Sequence, residues 1–428
     1  MPSINEIRQN RIKKLGRIEK KGVAPYPAKT KRTHTCREAL ERFEEISSKR
    51  EKIFLAGRLM TVREHGGSTF CHVQDGAGRI QAYFKKDELG EKAYKFFLDS
   101  FDSGDFIEVG GTLFLTKKGE KTLLVGECRM LAKSLLPLPE KWHGLKDAEE
   151  KFRKRYLDLL INKDTREIFE KRSEVIGKIR EFLGRHQFIE VETPILQLLY
   201  GGANARPFKT HLNALDMDLY LRIAPELYLK RLLVGGFERV FEIGRCFRNE
   251  GIDREHNPDF TMLECYAAYW DWEKLMEFME ELAHYLDPEI FPEKWDRVEY
   301  KDIVTNGDER GSFAQIKKPT FVLRLPDIPL CKNNEALQGI VQGIELIKAF
   351  SEQNNPIEQR AAFEKQEKLR QKGDEQAQRL DNDFLEALEY GAPPAAGFGL
   401  GIDRLTLILT KARSLRETIL FPLMKPKE

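Results

Sequence analysis

Hydrophobic residues recur with different periods in successive parts of the chain. In residues 4–20, isoleucine and leucine follow a helical spacing among basic residues until GVAPYP ends the pattern, which predicts an amphipathic basic helix. Residues 52–134 hold short β-rich runs instead, and a proline-containing segment typical of linkers follows them. The predicted parts are a basic helical arm at 1–50, a β domain at 51–134, a linker at 135–150 and a second domain at 151–428.

The β domain contains five predicted strands, with a helical run, DELGEKAYKFFLDSF, between the third and the fourth. This is the element order of an OB-fold, a small barrel that often binds single-stranded nucleic acid. Alternation places Phe70 and His72 on one face of the second strand, and Gln81 and Tyr83 on one face of the third. Base recognition and ordinary packing both explain such faces. The strands are IFLAGRLMTVR, STFCHVQD, RIQAYFKK, DFIEVGGTLFLT and TLLVGECRML.

The second domain is predicted to mix helices with strands. SEVIGKIREFLGRH has the apolar spacing of a helix, and FIEVETPIL after it has the pattern of a strand ended by Pro194. PELYLKRLLVGG begins with a proline and ends in paired glycines, as helices often do. The domain therefore begins with a long helix that leads into a strand.

Composition narrows the class of protein. With 428 residues, 41% hydrophobic and 33% charged, the chain is globular and long enough for two or three domains. Its six cysteines are far apart, which argues against a disulfide framework or a structural zinc site. MPSINEIRQNRIKK lacks the apolar core of a signal peptide, and no run approaches the length of a membrane span. We therefore predict a cytoplasmic protein that has no membrane partner.

The charge is unevenly distributed along the chain. The net charge of the whole sequence is +2, whereas residues 1–50 contain 14 Lys and Arg against 6 Asp and Glu. A basic arm suits a polyanion such as nucleic acid, although a solvated helix face explains the same composition.

RVFEIGRCFRNE and DFTMLECYAAY are predicted to form two strands joined by a polar run. Alternation places Arg248 and Glu250 on one face of the first strand, and Phe260, Glu264 and Tyr266 on one face of the second. A solvent-exposed hairpin has no need of aromatics on its charged face, and a core-facing hairpin would bury Glu264 unpaired at a cost of several kcal/mol. A binding floor satisfies both constraints, with aromatic stacking for a base and charges for phosphates or an ammonium.

Two further segments carry candidate chemistry. GAPPAAGFGLGIDRLTLIL has alternate glycines that admit the close approach of a ligand or a backbone, followed by Asp403 and Arg404 at the start of a helical run. The chain has neither a dinucleotide fingerprint nor a GxxxxGK[ST] loop, and tight strand-to-helix packing explains these glycines equally well. In GIELIKAFSEQNNP, alternation aligns Lys348, Phe350 and Glu352, as it would on an exposed edge strand.

Three of these segments resemble the motifs of class II aminoacyl-tRNA synthetases: FIEVETPIL resembles motif 1, FRNEGIDREHNPDFTMLE motif 2 and GFGLGIDRL motif 3. The class I signatures HIGH and KMSKS are absent. The N-terminal barrel is similar to that of the lysyl, aspartyl and asparaginyl group. Over nearly the whole chain, the sequence resembles the bacterial lysyl-tRNA synthetases in GGANARPF, RIAPELYLKRLLVGGFERVFEIG, NPDFTMLECYAAY and RETILFPLMKP.

The resemblance implies an α+β fold and a two-step reaction. An N-terminal five-stranded OB-fold β-barrel would bind the anticodon, and the catalytic domain would be an antiparallel sheet of six or seven strands flanked by helices. The carboxylate of L-lysine would attack the α-phosphate of ATP, with Mg²⁺ as cofactor, to give lysyl-adenylate and pyrophosphate. The lysyl group would then pass to the 3′-hydroxyl of the terminal adenosine of lysine tRNA, in a homodimer formed through motif 1.

The resemblance also implies roles for residues of an ATP site. Arg248 would bind the α-phosphate and the substrate carboxylate. Phe260 would stack on adenine against Arg404, which also reaches the γ-phosphate. Glu250 would contact the adenine edge and His256 the outer phosphates. Arg248 and Arg404 are therefore the expected catalytic groups.

A lysine site is implied by a further set of positions. Gly202 and Glu226 would hold the α-amino group, while Glu264, Tyr266 and Glu352 would hold the ε-ammonium. A pocket shaped for a compact ammonium should reject the larger, planar arginine side chain. The other lysine-binding residues expected are Arg248 and Phe350, and the residues expected around the middle anticodon uridine are Arg63, Phe70, Gln81 and Glu127.

Two residues depart from the family pattern at the expected magnesium site. Glu345 matches one metal ligand, but Gln338 stands where the family usually has a second glutamate, and Lys348 stands where it has asparagine. The two changes remove an anionic oxygen ligand that Mg²⁺ prefers and add a cation. Either the Lys348 ammonium replaces part of the role of a metal, or adenylate formation is impaired.

A third departure is length, and other functions stay open. Between VEYKDIV and KKPTFVL the family carries several tens of residues more, so either an insertion is absent or the sequence omits a segment. The barrel disfavours a paralogue that lysylates elongation factor P, and the predicted pocket disfavours an aspartyl or asparaginyl enzyme. A non-catalytic tRNA-binding protein would keep the barrel and the arm while losing the metal site.

Overall fold

The chain forms two compact units, residues 1–144 and 145–428, in a computed structural model. The predicted linker falls partly on residues 140–146, which lie outside the described residues, so its limits stay a prediction. The described residues are 2–139, 147–253, 256–305 and 307–427.

Five strands of the first unit close into a barrel in the order β1-β2-β3-β5-β4. All neighbouring strands are antiparallel except β3 and β5, which run parallel. Buried and partly exposed residues alternate along β2 and β3, as expected where one strand face fills the barrel interior. The predicted OB-fold is confirmed. The strands are β1 (Ile53–His65), β2 (Ser68–Gln74), β3 (Arg79–Lys85), β4 (Phe106–Leu115) and β5 (Lys121–Ala132).

The predicted basic helix exists and packs within this unit. Arg11, only 7% exposed, donates hydrogen bonds to the backbone oxygens of Ser134 and Ser103, each at 3.0 Å. Ile18 is fully buried in the barrel core together with Phe43. One face of the helix therefore serves packing, which leaves less of it for a polyanion. The helices of this unit are α1 (Ile4–Lys20), α2 (Cys36–Glu41), α3 (Phe43–Ser48), α4 (Lys86–Leu89) and α5 (Glu91–Ser100).

The second unit is built on an eight-stranded mixed sheet in the order β12-β13-β14-β15-β16-β11-β10-β6. The six central strands are antiparallel, while the outer pairs β12/β13 and β10/β6 are parallel. The predicted antiparallel sheet is thus confirmed for the six central strands, and one further strand pairs in parallel at each edge. The strands are β6 (Ile189–Glu190), β10 (Arg239–Phe247), β11 (Asp259–Ala268), β12 (Asp296–Glu299), β13 (Thr320–Leu323), β14 (Cys331–Val341), β15 (Ile344–Glu352) and β16 (Ala395–Gly401).

Helices cover both faces of this sheet. Phe321 and Val322 are consecutive on β13, and their side chains belong to two separate buried clusters, as alternation requires. The first cluster includes Ile179 of α8 and Phe278 of α10, and the second includes Phe363 of α13. The helices are α6 (Ala148–Arg153), α7 (Arg155–Ile161), α8 (Lys163–Arg185), α9 (Glu226–Val234), α10 (Trp272–Leu286), α11 (Tyr300–Ile303), α12 (Glu309–Ala314), α13 (Pro356–Gln371), α14 (Asn382–Glu389), α15 (Ile402–Thr410) and a 3₁₀ turn (Leu415–Thr418).

Two predicted strands are shorter than expected. FIEVETPIL contributes only β6 (Ile189–Glu190) and the first residue of β7 (Leu196–Gln197), because Pro194 lies between these strands and lacks the N–H that a ladder needs. β10 ends at Phe247, so Arg248 and Glu250 lie in the loop beyond it rather than on a strand face. The small sheet of this unit contains β7 (Leu196–Gln197), β8 (Lys209–Leu212) and β9 (Met217–Leu221).

The length and composition of the helices indicate whether any of them could span a membrane. Among the described residues, none of the helices combines the length and the apolar character needed to cross a bilayer.

Candidate active site

A cavity of about 400 Å³ lies over the central strands of the second unit. It brings together the hairpin of β10 and β11, the strand β15 and the glycine-rich strand β16, which are far apart in sequence. The predicted site residues that line it are Gly202, Glu226, Arg248, Glu250, His256, Phe260, Glu264, Tyr266, Gln338, Glu345, Lys348, Phe350 and Arg404.

The register of the sheet explains why these residues meet. Gly399 pairs with Glu264 on one side and with Lys348 on the other, so their side chains share one row across three strands. The next row contains Tyr266, Gly397 and Phe350 in the same arrangement. A Cβ added at Gly397 would lie 2.3 Å from the Tyr266 ring and could not fit. Glycine at position 397 therefore allows the Tyr266 ring to lie across the middle of its row.

One end of the cavity is acidic and buried. Glu264 and Glu226 line the cavity and are 4% and 5% exposed. Glu352, a predicted site residue, is 4% exposed and lies outside the lining, with its Oε1 beside Gly397. Tyr266 donates its hydroxyl hydrogen to Glu264 at 3.0 Å, and the ammonium of Lys230 contacts both Glu226 and Glu352. Apart from Lys230, neither oxygen of Glu352 has a hydrogen-bond donor among the described residues. The acidic end therefore has free acceptor capacity for a further cation.

Burial changes the ionisation of this acidic end. Desolvation, reinforced by the charge of Glu226, raises the pKa of Glu264 to about 8 against the opposing effect of the Tyr266 hydroxyl. Desolvation also raises the pKa of Glu352 to about 8, although the neighbouring Lys230 ammonium works in the other direction. A cation that entered the pocket would favour the ionised forms, so binding of a cation is coupled to loss of protons.

Gly202 shapes the mouth of the acidic end. Its φ is +84°, which an L side chain rarely adopts, and an added Cβ would lie 2.9 Å from the Cβ of Glu226. The backbone of the loop before β8 therefore approaches the carboxylate of Glu226 closely only because residue 202 is glycine.

The other end of the cavity is cationic and more open. The Arg248 guanidinium lies 4.9 Å from the centroid of the Phe260 ring. Glu250 is exposed and accepts a long hydrogen bond from Gln376 at 3.3 Å. His256 is also exposed, and its Nδ1 lies 2.9 Å from the Asp253 carboxylate. These side chains form one wall, with an aromatic ring beside a cation.

Arg404 forms the opposite wall of this end. Its guanidinium donates to the backbone oxygen of Glu345 at 2.7 Å and lies 3.5 Å from the Glu345 carboxylate. Asp403, its neighbour, accepts from the backbone N–H of Thr261 at 2.9 Å and pairs with Arg172 at 2.6 Å. These contacts fix the start of α15 against β11 and so hold Arg404 at the cavity.

The residues at the expected magnesium site do not fit a metal held by two protein carboxylates. Gln338 lies directly opposite Lys348 on neighbouring strands, so the two departures from the family pattern form one cross-strand pair. Glu345 supplies one carboxylate, which already contacts Arg404. No group of three or more His, Cys, Asp or Glu among the described residues is arranged to hold a metal ion. Lys348 places a cation beside the remaining oxygen ligands.

Three of the four predicted anticodon residues share one face of the barrel. Arg63 pairs with Phe70 across β1 and β2, and Phe70 stacks on Tyr83 of β3 with ring centroids 4.4 Å apart. Gln81, opposite His72, accepts a hydrogen bond from the Thr122 hydroxyl at 2.9 Å. This face combines exposed charge with stacked aromatics, as single-strand binding requires.

The fourth predicted anticodon residue, Glu127, lies elsewhere. It forms ion pairs with Lys31 and with Lys52, which directly precedes β1, whereas Arg63 lies near the end of that strand. The acidic side chain beside the aromatic face is Glu120, whose carboxylate is 3.8 Å from His72. The structure therefore does not bring Glu127 together with the other three residues.

Comparison with known families bears on both units. A family model described as "tRNA synthetases class II (D, K and N)" matches residues 147–425, and one described as "OB-fold nucleic acid binding domain" matches residues 53–131. The first match alone covers more than half of the chain.

The chain belongs to the class II tRNA synthetases of the D, K and N group.

Several relatives that are similar to this class II chain share the name "Lysine--tRNA ligase". It is 44% identical over 486 aligned positions to the "Lysine--tRNA ligase" of Carboxydothermus hydrogenoformans, with 99% of each chain covered. It is 44% identical to the protein of that name from Pelotomaculum thermopropionicum (99% and 96% covered) and 41% identical to that from Thermotoga maritima (99% and 97% covered). The 486 aligned positions exceed the 428 residues of this chain, so these relatives carry residues that it lacks.

Two residues of this class II synthetase were missed in the sequence analysis. Lys230 lies four positions after Glu226 on α9, and this helical spacing was a usable signal for an ion pair. Glu120 gave no such signal, because only the parallel pairing of β3 with β5 brings the β4–β5 turn beside Gln81 and His72.

Proposed function

We propose that the protein is a lysine–tRNA ligase. It activates L-lysine with ATP to form lysyl-adenylate and pyrophosphate, and then transfers lysine to the 3′-hydroxyl of the terminal adenosine of lysine tRNA. The observation that carries the proposal is the buried acidic end of a cavity whose other end is cationic. The names of the similar relatives support the same substrate.

Lysine would bind along the axis between these two ends. Its ε-ammonium would lie between Glu264 and Glu352 beside Tyr266, and its α-amino group would bind Glu226 next to Gly202. Phe350 would pack against the aliphatic stem. Free acceptor capacity on the buried carboxylates supports this orientation, because a buried carboxylate gains most from a charge-assisted partner.

The reaction needs no protein nucleophile in this arrangement. The lysine carboxylate would attack the α-phosphate in line, and Arg248 would stabilise the charge that develops on the phosphate oxygens. Phe260 offers a ring face for adenine, Glu250 an acceptor for its amino edge, and Arg404 a cation for the outer phosphates. Catalysis then consists of positioning and electrostatic stabilisation.

No step is assigned to a protein-held metal, because the residues present do not fit one. We propose that the predicted Mg²⁺ accompanies ATP as a counter-ion of its phosphates, with Glu345 as the single predicted metal-binding carboxylate in the cavity lining. Lys348 would contribute further positive charge near the outer phosphates, and His256 a hydrogen-bond donor.

The barrel would bind the anticodon of the tRNA. Phe70 would stack on the middle uridine, with Gln81 and Arg63 contacting its polar edge and backbone. The side-by-side arrangement of these three residues supports this role, and Glu120 is the acidic side chain that we add to them. The role predicted for Glu127 gains no such support.

A homodimer is supported by exposed apolar residues around the predicted motif 1. Ile189, Leu196 and Leu198 are 50%, 48% and 55% exposed, and β6 is an edge strand of the large sheet. Such a patch on a sheet edge needs a cover, and a second copy of the chain would supply it. We also propose a cytoplasmic location, which the six unpaired cysteines support because reducing compartments keep thiols free.

Lysine-dependent exchange of pyrophosphate into ATP, followed by charging of lysine tRNA, tests the proposal. The purified protein should catalyse both, with arginine and ornithine as poor substitutes for lysine. The altered metal site at Gln338 and Lys348 is the feature that favours the alternative, a non-catalytic tRNA-binding protein. Such a protein would bind lysine tRNA and show neither reaction.

A further inference from the structure

A lysine of the protein itself lies beside the acidic end of the cavity, in contact with Glu226, one of the residues that line it. Lys230 is 5% exposed, and its Nζ lies 2.5 Å from Glu226 Oε1 and forms an ion pair with Glu352 Oε2. Its ammonium is also 5.2 Å from the centroid of the Phe350 ring and 5.9 Å from that of Tyr266. The side chains expected to hold a ligand ammonium thus already surround an internal one.

The charges of this pocket match a ligand with two ammonium groups only when Lys230 is counted. When ionised, Glu226, Glu264 and Glu352 supply three negative charges, and Lys230 supplies one positive charge. Two negative charges remain for the α-ammonium and the ε-ammonium of lysine, and the Arg248 guanidinium would bind the carboxylate of the ligand. Without Lys230, one buried carboxylate would be left without a counter-charge, which is strongly unfavourable in a low-dielectric interior.

We propose that Lys230 is a positioning residue that sets the net charge of the amino-acid site and, through its two ion pairs, orients the carboxylates of Glu226 and Glu352. The inference rests on the proposed activation of lysine and adds the residue that adapts three carboxylates to a dicationic ligand. An ion pair with only a structural role would stabilise the fold without changing how lysine affinity depends on pH.

The sign of the pH effect follows from the neighbouring groups. The Lys230 ammonium opposes the burial that raises the pKa of Glu264 and Glu352, so its removal should raise both pKa values further. More protons must then leave the pocket before lysine binds, and the rise of kcat/KM for lysine should move to higher pH. The charged or titratable side chains facing this cluster from α9, β11, β14, β15 and the loop after β10 are Glu226, Lys230, Glu264, Tyr266, Cys331, Glu352 and Arg248.

The test compares Lys230→Met with Arg231→Met in the full-length protein, using lysine-dependent pyrophosphate exchange between pH 6.5 and 9. Arg231 is the next cation on the same helix, but it pairs with Asp381 at 2.9 Å outside the pocket. We expect Lys230→Met to raise the KM for lysine about tenfold or more at neutral pH, leave the KM for ATP unchanged and shift the profile upward. Arg231→Met should change none of the three quantities.

A second variant keeps the proposal testable if Lys230→Met does not fold. Lys230→Met with Glu352→Gln removes both charges of one ion pair, so it leaves one buried carboxylate fewer without its cation than Lys230→Met alone does. The fold-increase in the lysine KM of this double variant should be smaller than the product of the fold-increases caused by Lys230→Met and by Glu352→Gln. The single variant Glu352→Gln is measured as the reference.

The outcomes separate the two proposals. Wild-type protein without lysine-dependent exchange contradicts the proposed function itself. If the wild-type protein shows lysine-dependent exchange, three results contradict the inference about Lys230 and leave the proposed function standing. Lys230→Met could behave like Arg231→Met, or it could raise the KM for lysine and the KM for ATP equally. The third such result is that the effects of Lys230→Met and Glu352→Gln on the lysine KM simply multiply in the double variant.

Discussion

The two ends of the active-site cavity differ in how firmly the fold fixes their charges. At the acidic end, Glu264 and Glu352 are 4% exposed and held among Tyr266 and Lys230. At the cationic end, Lys348 is exposed, and the Arg404 side chain is 25% exposed with Glu345 as its carboxylate partner.

This difference teaches which interactions tolerate change. A buried charge costs much to leave unpaired, so each substitution at the acidic end should have a large effect on one substrate. An exposed charge is screened by water and salt, so a substitution at the phosphate end should be compensated more easily. Of the two departures from the family pattern, Lys348 is exposed and falls under this argument, whereas Gln338 is 6% exposed.

Arg248→Ala should have the largest effect, because the Arg248 guanidinium lies in the cavity wall against the Phe260 ring, whereas Lys348 is exposed. Loss of a preorganised group that stabilises developing charge costs about 10²–10³-fold in kcat, measured by pyrophosphate exchange. The control is Arg245→Ala on the same hairpin, whose side chain is 44% exposed and pairs with Asp259. Equal activity of the two variants would contradict the role of Arg248.

Glu264→Gln should come next and act on one substrate only. The amide keeps the shape but loses the charge that a lysine ammonium needs, so the KM for lysine should rise about 10- to 100-fold. The KM for ATP should stay unchanged. Asp259→Asn, on the same strand but 43% exposed, is the matched control. If Glu264→Gln raised the KM for ATP as well as the KM for lysine, the acidic end would not act on lysine alone, and the comparison of the two ends would fail.

The pH dependence of lysine binding should sharpen the comparison further. Since burial raises the pKa of Glu264 and of Glu352 to about 8, this carboxyl pair retains protons near neutral pH in the empty site, and lysine should expel them. Affinity for lysine should therefore rise with pH up to about 8, while affinity for ATP should not follow this curve. Calorimetry at pH 7 in buffers of different ionisation enthalpy would measure the protons released. An absence of proton release would contradict the pKa values assigned to these carboxyls.

The same groups predict a change in the stability of the ligand-free protein. Their pKa in the folded state lies above the ordinary value near 4.5, so their favourable contribution is complete below that pH and is lost as the pH rises through about 8. Thermal unfolding across this window should show less loss in Glu264→Gln than in the wild type, because the amide does not ionise.

Lys348→Asn should have the smallest effect. Contacts of exposed charges contribute up to about 1 kcal/mol, so the KM for ATP should rise about three- to fivefold and the Mg²⁺ requirement should increase. Lys318→Asn removes an exposed cation away from the cavity and is the control. A loss of activity as large as that of Arg248→Ala would show that the phosphate end is as firmly fixed as the acidic end.

Local patterns in the sequence predicted most of the elements around this site. The pairing of β10 with β11 followed from alternation, and the positions of Phe260, Glu264 and Tyr266 on one face are confirmed. The same argument was wrong for Arg248 and Glu250, which lie beyond the end of the strand. Alternation describes a residue only while the ladder continues, and the end of a ladder depends on its partners.

Pairing between distant segments was beyond such patterns. Gln338 and Lys348 were recognised as two separate departures, but only the register of β14 and β15 makes them neighbours. The family resemblance indicated Glu127 as the acidic anticodon residue, whereas the parallel pairing of β5 with β3 brings Glu120 to the aromatic face.

The sequence by itself determined the class of the fold, the motifs and the chemical types of side chain in the site, because these depend on local periodicity and on residue identity. The tertiary structure decided which charges share a low-dielectric pocket. Burial and strand register arise from contacts between segments far apart in the chain, and they set the pKa values of Glu264 and Glu352 and place Lys230 between two carboxylates. The charge balance that suits this site to lysine is therefore a property of the folded chain.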